Sequence, residues 1–209
     1  MSSGEIALVT GGGGGLGAVI AQALATRGAH VIVADADPDA ARTTAAELGG
    51  APVHADLSSD AGIDAIASAT ERLDVLVNCA GGWGGAPHRY PEATSNQWDA
   101  VLTLNLRAPM RLLQHFKPAL TDSPVGAAVN ISSSAGIGTT AYESPEYGVA
   151  KAGLIRLTTA VQDWAPGVRV SCIVPGWIGL PRAHEEIKQL PPDQRPRLIP
   201  PEHIARTAI

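Results

Sequence analysis

The chain has 209 residues, of which 45% are hydrophobic and 17% charged, with 23 Gly and one Phe; this composition suits close helix-on-sheet packing better than an aromatic-rich sandwich. Net charge is −5 and no stripe of Lys and Arg is present, which argues against a nucleic-acid partner. Cys79 and Cys172 lie in apolar runs without ligand-spaced Cys or His, and no apolar run reaches membrane length, so a soluble cytosolic protein with reduced core thiols and no bound metal is expected.

Short β-branched runs are expected as strands at 6–10, 30–34, 52–55, 74–78, 126–131 and 169–174. After the first, Leu16, Val19, Ile20, Ala23 and Leu24 recur at helical spacing, and Gly28 is a natural stop. Further helices are expected over 58–72, capped by Ser58 or Ser59, and over 98–116 and 145–164. Residues 179–201, with six prolines, read as an irregular excursion, and a helix-like segment starts near Pro201. Alternation of strand and helix predicts an α/β fold: one doubly wound, mostly parallel sheet in three αβα layers, spanning 1–209 as a single domain.

The run Thr10-Gly11-Gly12-Gly13-Gly14-Gly15-Leu16-Gly17 falls between the first strand and the first helix. Glycines there permit a tight turn and close backbone approach to a pyrophosphate, while the helix N-terminus offers N–H donors and a positive dipole end. Gly11, Gly13, Gly14, Gly15 and Leu16 are therefore candidate cofactor contacts; the alternative is a flexible linker. No Lys-Ser or Lys-Thr pair follows, which disfavours a nucleotide-triphosphate loop. Asp35, twenty positions after Gly15, ends the second strand and is followed by Ala36. A carboxylate there accepts ribose hydroxyls and repels a 2′-phosphate, favouring NAD over NADP, unless Asp35 only opens a turn with Asp37 and Pro38.

Tyr147 and Lys151 stand four residues apart, one helical turn, so both share a face. An ammonium beside a phenol is expected to lower the tyrosine pKa from its reference of about 10, giving a general acid/base for an alcohol oxygen.

Together these segments resemble the short-chain dehydrogenase/reductase family, of Rossmann type, over nearly the whole chain. Thr10–Gly17 is similar to its glycine motif, Asp56-Leu57 to the acidic pair that receives the adenine, and Asn78-Cys79-Ala80-Gly81 to its Asn-Asn-Ala-Gly segment. Asn105 resembles the helix asparagine, Ile131-Ser132-Ser133-Ser134 the serine strand end, and Pro175-Gly176 the turn beneath the nicotinamide. The resemblance implies hydride transfer between NAD(H) and a small-molecule secondary alcohol or ketone. It implies Tyr147 as proton acceptor or donor, Lys151 lowering its pKa and gripping the ribose, and Ser133 orienting the reacting oxygen. Asn105 would hold a water that links Lys151 to solvent, and the backbone N–H of Ile178 would hold the nicotinamide amide. It also implies a homodimer or homotetramer formed through the helices bearing Asn105 and Tyr147.

Ser133 lies fourteen positions before Tyr147, one more than is commonest in the family; this suggests a longer loop through 139–143 and leaves Ser134 as an alternative. A polar strand end capping the next turn is the structural reading of these serines. Tyr142, with Glu146 rather than a lysine four residues on, reads as a pocket wall, and Trp83, Tyr90 and Trp177 as either pocket walls or loop anchors; Trp98 and Trp164 read as helix packing, and His88, His184 and His203 as solvated. Two departures stand out. Leu180 occupies the position where the family usually has a threonine, and no last strand of the family's kind precedes Ile209: either these residues are part of a longer chain, or the sheet ends early and leaves the edge at 169–174 exposed. A catalytically silent nucleotide-binding regulator or scaffold is the rival reading.

Overall fold

The computed structural model describes residues 4–83, 92–138, 144–164 and 166–209. The six strands are β1 (Ile6–Thr10), β2 (His30–Asp35), β3 (Ala51–His54), β4 (Val75–Asn78), β5 (Ala127–Ile131) and β6 (Arg169–Ile173). They form one sheet in the order β3-β2-β1-β4-β5-β6, every neighbouring pair parallel. Strand order reverses between β1 and β4, so a crevice opens beyond their C-terminal ends, where ligands bind in sheets of this kind.

Alternation along each strand divides the core in two. Ala7, Val9, Val31, Val33, Val75, Val77, Val129 and Ile131 face one side, where they meet α1 (Gly15–Thr26), α2 (Pro38–Leu48) and α8 (Pro201–Ala208). Leu8, Ile32, Leu76 and Ala128 face the other, against α3 (Asp60–Ala67) and α5 (Ala108–Asp122). Also on that side is α6 (Pro145–Ala160), which reaches the cluster through Leu157. Ile20, Leu24, Leu112 and Phe116 are almost wholly buried, each contributing about 1.5–3 kcal/mol of apolar burial. The three-layer α/β expectation is met, and β6 is the outermost strand beside β5 among the described residues.

Several boundaries differ from expectation. Sequence periodicity gave no helix between β2 and β3, yet α2 runs there, capped by Asp37, whose side chain accepts from the N–H of Asp39 and Ala40, and ended by Gly49 at φ 64°. Its apolar face is narrow, with only Ala41, Thr44 and Ala45 buried, so the hydrophobic repeat is faint. The helix expected over 58–72 is limited to α3, with Ser59 as its cap. That expected over 98–116 divides into α4 (Ser95–Leu102) and α5 around a π-turn, Thr103–Arg107. Residues 179–201 are not wholly irregular: they hold α7 (Pro181–Lys188) and a 3-10 turn, and Ile178 bridges to Ile199. Trp98, expected in packing, is 37% exposed, whereas Trp164 packs on the second core cluster. No helix of the described residues is long and apolar enough to cross a membrane.

Candidate active site

The end of β1 is bolted to the end of β4 by one side chain. Thr10 Oγ1 accepts the backbone N–H of Cys79 and of Ala80, each at 3.0 Å. The glycine turn is thereby pressed against the Cys79–Gly81 segment. A Cβ on Gly17 would lie 2.0 Å from the Gly11 carbonyl oxygen, and one on Gly11 would lie 2.9 Å from Ala80 Cα, so both close approaches require glycine. Gly14 then precedes α1 with no side-chain cap and nothing within 4 Å of where its Cβ would stand. The first N–H groups of a twelve-residue helix accordingly border a cleft.

That cleft, about 340 Å³, is lined by Gly11, Gly14, Gly15, Leu16, Ala80, Gly81, Ile131, Tyr147, Lys151, Pro175, Gly176 and Ile178 among the residues expected to meet a cofactor. Gly13, Asp35, Asp56, Leu57 and Asn78 do not line it. Gly13 instead donates its N–H to Asp35 Oδ2 at 2.9 Å, and Asp35 Oδ1 accepts from the N–H of Asp37 at 3.0 Å, so Asp35 does open the turn as well as reach the glycine loop. Asp56 is exposed and bonded to Ser58, Leu57 is buried in the core, and Asn78 donates to Asn130, which donates to Thr158.

A second cavity of about 430 Å³ adjoins the first, and both share Ser133, Tyr147, Gly176, Ile178 and Leu180. Ser133 and Tyr147 are hydrogen-bonded to each other, and Ser133 Oγ also accepts from the N–H of Ala135, so this serine caps its turn while facing the cleft. Ser132 is directed inward, donating to the Lys151 carbonyl at 2.8 Å, and Ser134 lines only the second cavity. Leu180 lies over the glycine turn, where a Cβ on Gly15 would meet its side chain at 3.5 Å.

Lys151 is buried, and its ammonium donates to the Ile131 carbonyl at 2.9 Å, 5.6 Å from the Tyr147 ring. Burial lowers the lysine pKa to about 8, opposed by the thiols of Cys79 and Cys172, while burial pushes Cys79 up to about 12. Burial also raises the Tyr147 phenol above its ordinary value, and the Ser133 hydrogen bond opposes that rise. The phenol is therefore desolvated, beside a lysine whose ammonium donates one of its N–H groups to the Ile131 carbonyl. Asn105 is fully buried in the π-turn; its amide donates to the carbonyls of Gly82 and Val101 and accepts from the N–H of Gly82. A Cβ on Gly81 would meet Asn105 Oδ1 at 2.8 Å and Lys151 Nζ at 2.9 Å, so asparagine, lysine and the β4 loop converge there.

Trp83 and Trp177 line the second cavity, while Tyr90, Tyr142, His88 and the 139–143 loop lie outside the described residues. His184 and His203 are exposed. Sequence reasoning gave no role to Thr10 as a clamp, nor to Arg182 and Glu186, which line the second cavity. The polar strand end at Thr10 was the available signal for the first; the helix that carries the other two has no buried residue to reveal it.

The short chain dehydrogenase family model matches residues 5–190. The chain is 36% identical over 189 residues to the rhamnolipids biosynthesis 3-oxoacyl-[acyl-carrier-protein] reductase of Pseudomonas aeruginosa, covering 83% of this chain and 73% of that one. It is 32% identical to the D-threitol dehydrogenase of Mycolicibacterium smegmatis, covering 99% and 85%. Among solved structures it resembles the 3-ketoacyl-(acyl-carrier-protein) reductase of Brucella melitensis complexed with NADH, at TM-score 0.82 and 26% identity over 99% of this chain and 89% of that one. It also resembles the Pseudomonas aeruginosa RhlG/NADP active-site complex, at TM-score 0.79 and 31% identity over 99% and 88%. The glycine cleft, the Tyr147–Ser133 contact beside Lys151 and these likenesses agree: the chain belongs to the short chain dehydrogenase family, oxidoreductases that act on alcohols or ketones with a nicotinamide cofactor.

Proposed function

We propose that residues 1–209 form one NAD-binding domain that transfers hydride between NAD(H) and a secondary alcohol or ketone. The observation that carries this reading is the meeting of two cavities at Ser133 and Tyr147: one cavity begins at the helix N-terminus of α1, and the other opens under Trp83 and Trp177. When bound, the nicotinamide cofactor supplies the hydride acceptor or donor. The residues present fit such a group, because the glycine turn has no side chains to fill the cradle and α1 has no side-chain cap.

Tyr147 takes the alcohol proton in oxidation and returns it in reduction. Ser133 holds the reacting oxygen within reach of the phenol. Lys151 stabilises the phenolate and the bound ribose, and Asn105, fixed by its hydrogen bonds to Gly82, holds a water that links Lys151 to solvent. Asp35, with Asp37 and Asp39 near the same corner, favours ribose hydroxyls over a 2′-phosphate, which supports NAD although the fold neighbours include an NADP complex. All four catalytic residues are present, which speaks against a silent scaffold. Met110 (47% exposed), Val149 (62%) and Trp98 on α5, α6 and α4 support self-association as a homodimer or homotetramer through this helical face.

The test is titration of the purified chain with NADH and with NADPH, followed by tryptophan energy transfer, and then an alcohol and ketone screen with Tyr147→Phe as control. Tighter NADH binding with turnover lost in the variant is the expected result. A folded chain that binds neither dinucleotide would overturn the assignment.

A further inference from the structure

The second cavity has apolar walls, and its charged lining side chains are Arg182 and Glu186, both on α7. The Arg182 guanidinium lies 4.7 Å over the Trp83 ring, and that ring lies 5.5 Å from the Tyr147 ring, tilted by 43°. One edge of the guanidinium is occupied: Nε donates to Glu186 Oε1 at 2.6 Å, one helical turn on. Among the described residues Nη1 and Nη2 make no hydrogen bond. An arginine held by its face on an indole and by its Nε on a carboxylate turns the fork of its two terminal nitrogens to other partners, and none of the described residues takes it. That fork matches a carboxylate, which accepts two parallel N–H bonds.

Resting on the oxidoreductase reading above, we propose that Arg182 is the carboxylate receptor of the substrate site and that the substrate is a hydroxy acid or oxo acid. Its carbinol or carbonyl carbon lies at Tyr147 and Ser133, and its carboxylate lies a few carbons away against the Arg182 fork. The Trp83 ring spans the interval, covering the aliphatic carbons between the two polar ends. Glu186 positions the arginine and also sets the charge that is accepted. Its carboxylate offsets part of the guanidinium charge, so the two charges of a phosphate dianion are repelled more strongly than the single charge of a carboxylate. The guanidinium side chain is 61% exposed, so the receptor stands at the entrance and meets the acid group before the carbinol reaches the phenol.

The experiment has a binding arm and a turnover arm, both on the full chain. In the first, tryptophan fluorescence is titrated with 3-hydroxybutyrate, its amide and inorganic phosphate, in the parent and in Arg182→Leu and Arg182→Lys, with Trp83→Phe identifying the reporting ring. Saturable binding of 3-hydroxybutyrate that weakens about tenfold or more in Arg182→Leu, less in Arg182→Lys, and exceeds that of the amide is expected. Equal affinity for acid and amide, no change in Arg182→Leu, or tighter binding of phosphate overturns the proposal. In the second arm, NAD-linked oxidation of 3-hydroxybutyrate and of its methyl ester is compared. Arg182→Leu is expected to raise KM for the acid while leaving kcat and the ester's KM within about twofold. Turnover of neutral alcohols unaffected by Arg182, with no preference for acids, overturns the receptor but leaves the oxidoreductase reading standing. Binding of the acid without any turnover does the reverse.

Discussion

Gly13 and Asp35 are joined by a hydrogen bond of 2.9 Å from backbone N–H to carboxylate, so the loop that opens onto α1 and the residue that ends β2 are positioned as a unit. Asp35→Ala removes both the carboxylate and this tether. It is expected to weaken NADH binding about tenfold and to bring NADPH binding towards it, because the charge that disfavours a 2′-phosphate is reduced. Parallel fluorescence titrations of the two dinucleotides measure the ratio. An unchanged ratio would remove Asp35 as the discriminator.

Tyr147→Phe retains the ring that packs at 5.5 Å from Trp83 and deletes only the hydroxyl. Turnover is expected to fall by about 10²–10⁴-fold while NADH affinity stays within a few-fold. Lys151→Ala should lose both, since the ammonium lines the glycine cleft beside the β4 loop and Tyr147. If Tyr147→Phe keeps its rate, proton transfer passes through another group.

The buried ammonium also predicts how stability moves with pH. Lys151 binds its proton less tightly in the folded chain, at about 8 against an ordinary 10.5, so between those values the unfolded state holds more protons. Stability conferred through this group therefore rises as pH increases through that window. Cys79, raised to about 12 by burial, acts in the opposite direction at high pH. Urea unfolding of the parent and of Lys151→Met at pH 7.5 and at pH 9.5 separates the two: the parent should gain relative to the variant at the higher pH. A constant difference would mean that the lysine is hydrated in solution.

Asp74 is a structural counterpart at the other end of the sheet. Its carboxylate accepts from the Ile6 N–H at 2.7 Å and from Ser123 Oγ at 2.6 Å, with Arg72 at 3.4 Å. Burial pushes this carboxyl up, but the Ser123, Ile6 and Arg72 contacts together hold it below the ordinary value. A depressed carboxylate stabilises the fold fully above its unfolded pKa of about 3.9, and the contribution disappears as pH falls through the folded value. Asp74→Ala is expected to cost about 2–3 kcal/mol at neutral pH, leaving the Ile6 N–H without its acceptor, and to flatten the acid side of the stability profile. Thermal melts from pH 3 to 7 provide the check.

The strands and the glycine turn were legible because their signals are local: β-branched runs, and glycines placed between a strand and an apolar-periodic helix. Tyr147 and Lys151 were legible for the same reason, through their spacing along one helix. What the chain could not display was solvent. The desolvation of the phenol follows from burial that only the assembled helices, strand ends and loops create, which the four-residue spacing of Tyr147 and Lys151 does not display. Helix α2 was hidden because alanine and threonine bury without a strong hydrophobic repeat, although Asp37-Pro38 and Gly49 marked its two ends. Helix α7 buries no residue at all, and Arg182 acquires its position only when Trp83 arrives from the end of β4.

The π-turn at Thr103–Arg107 gives the helix one residue more than a continuous α-helix of the same rise would hold. Val101 before it and Ala108, Leu112 and Phe116 after it are already seated in their packing positions across that surplus. Deleting a single residue other than Asn105 within 103–107 would let the turn relax to α geometry without moving either flank. Asn105 would then rotate away from the Gly82 backbone it holds. A one-residue change of length at this helix therefore moves the buried Asn105 while sparing the fold around it.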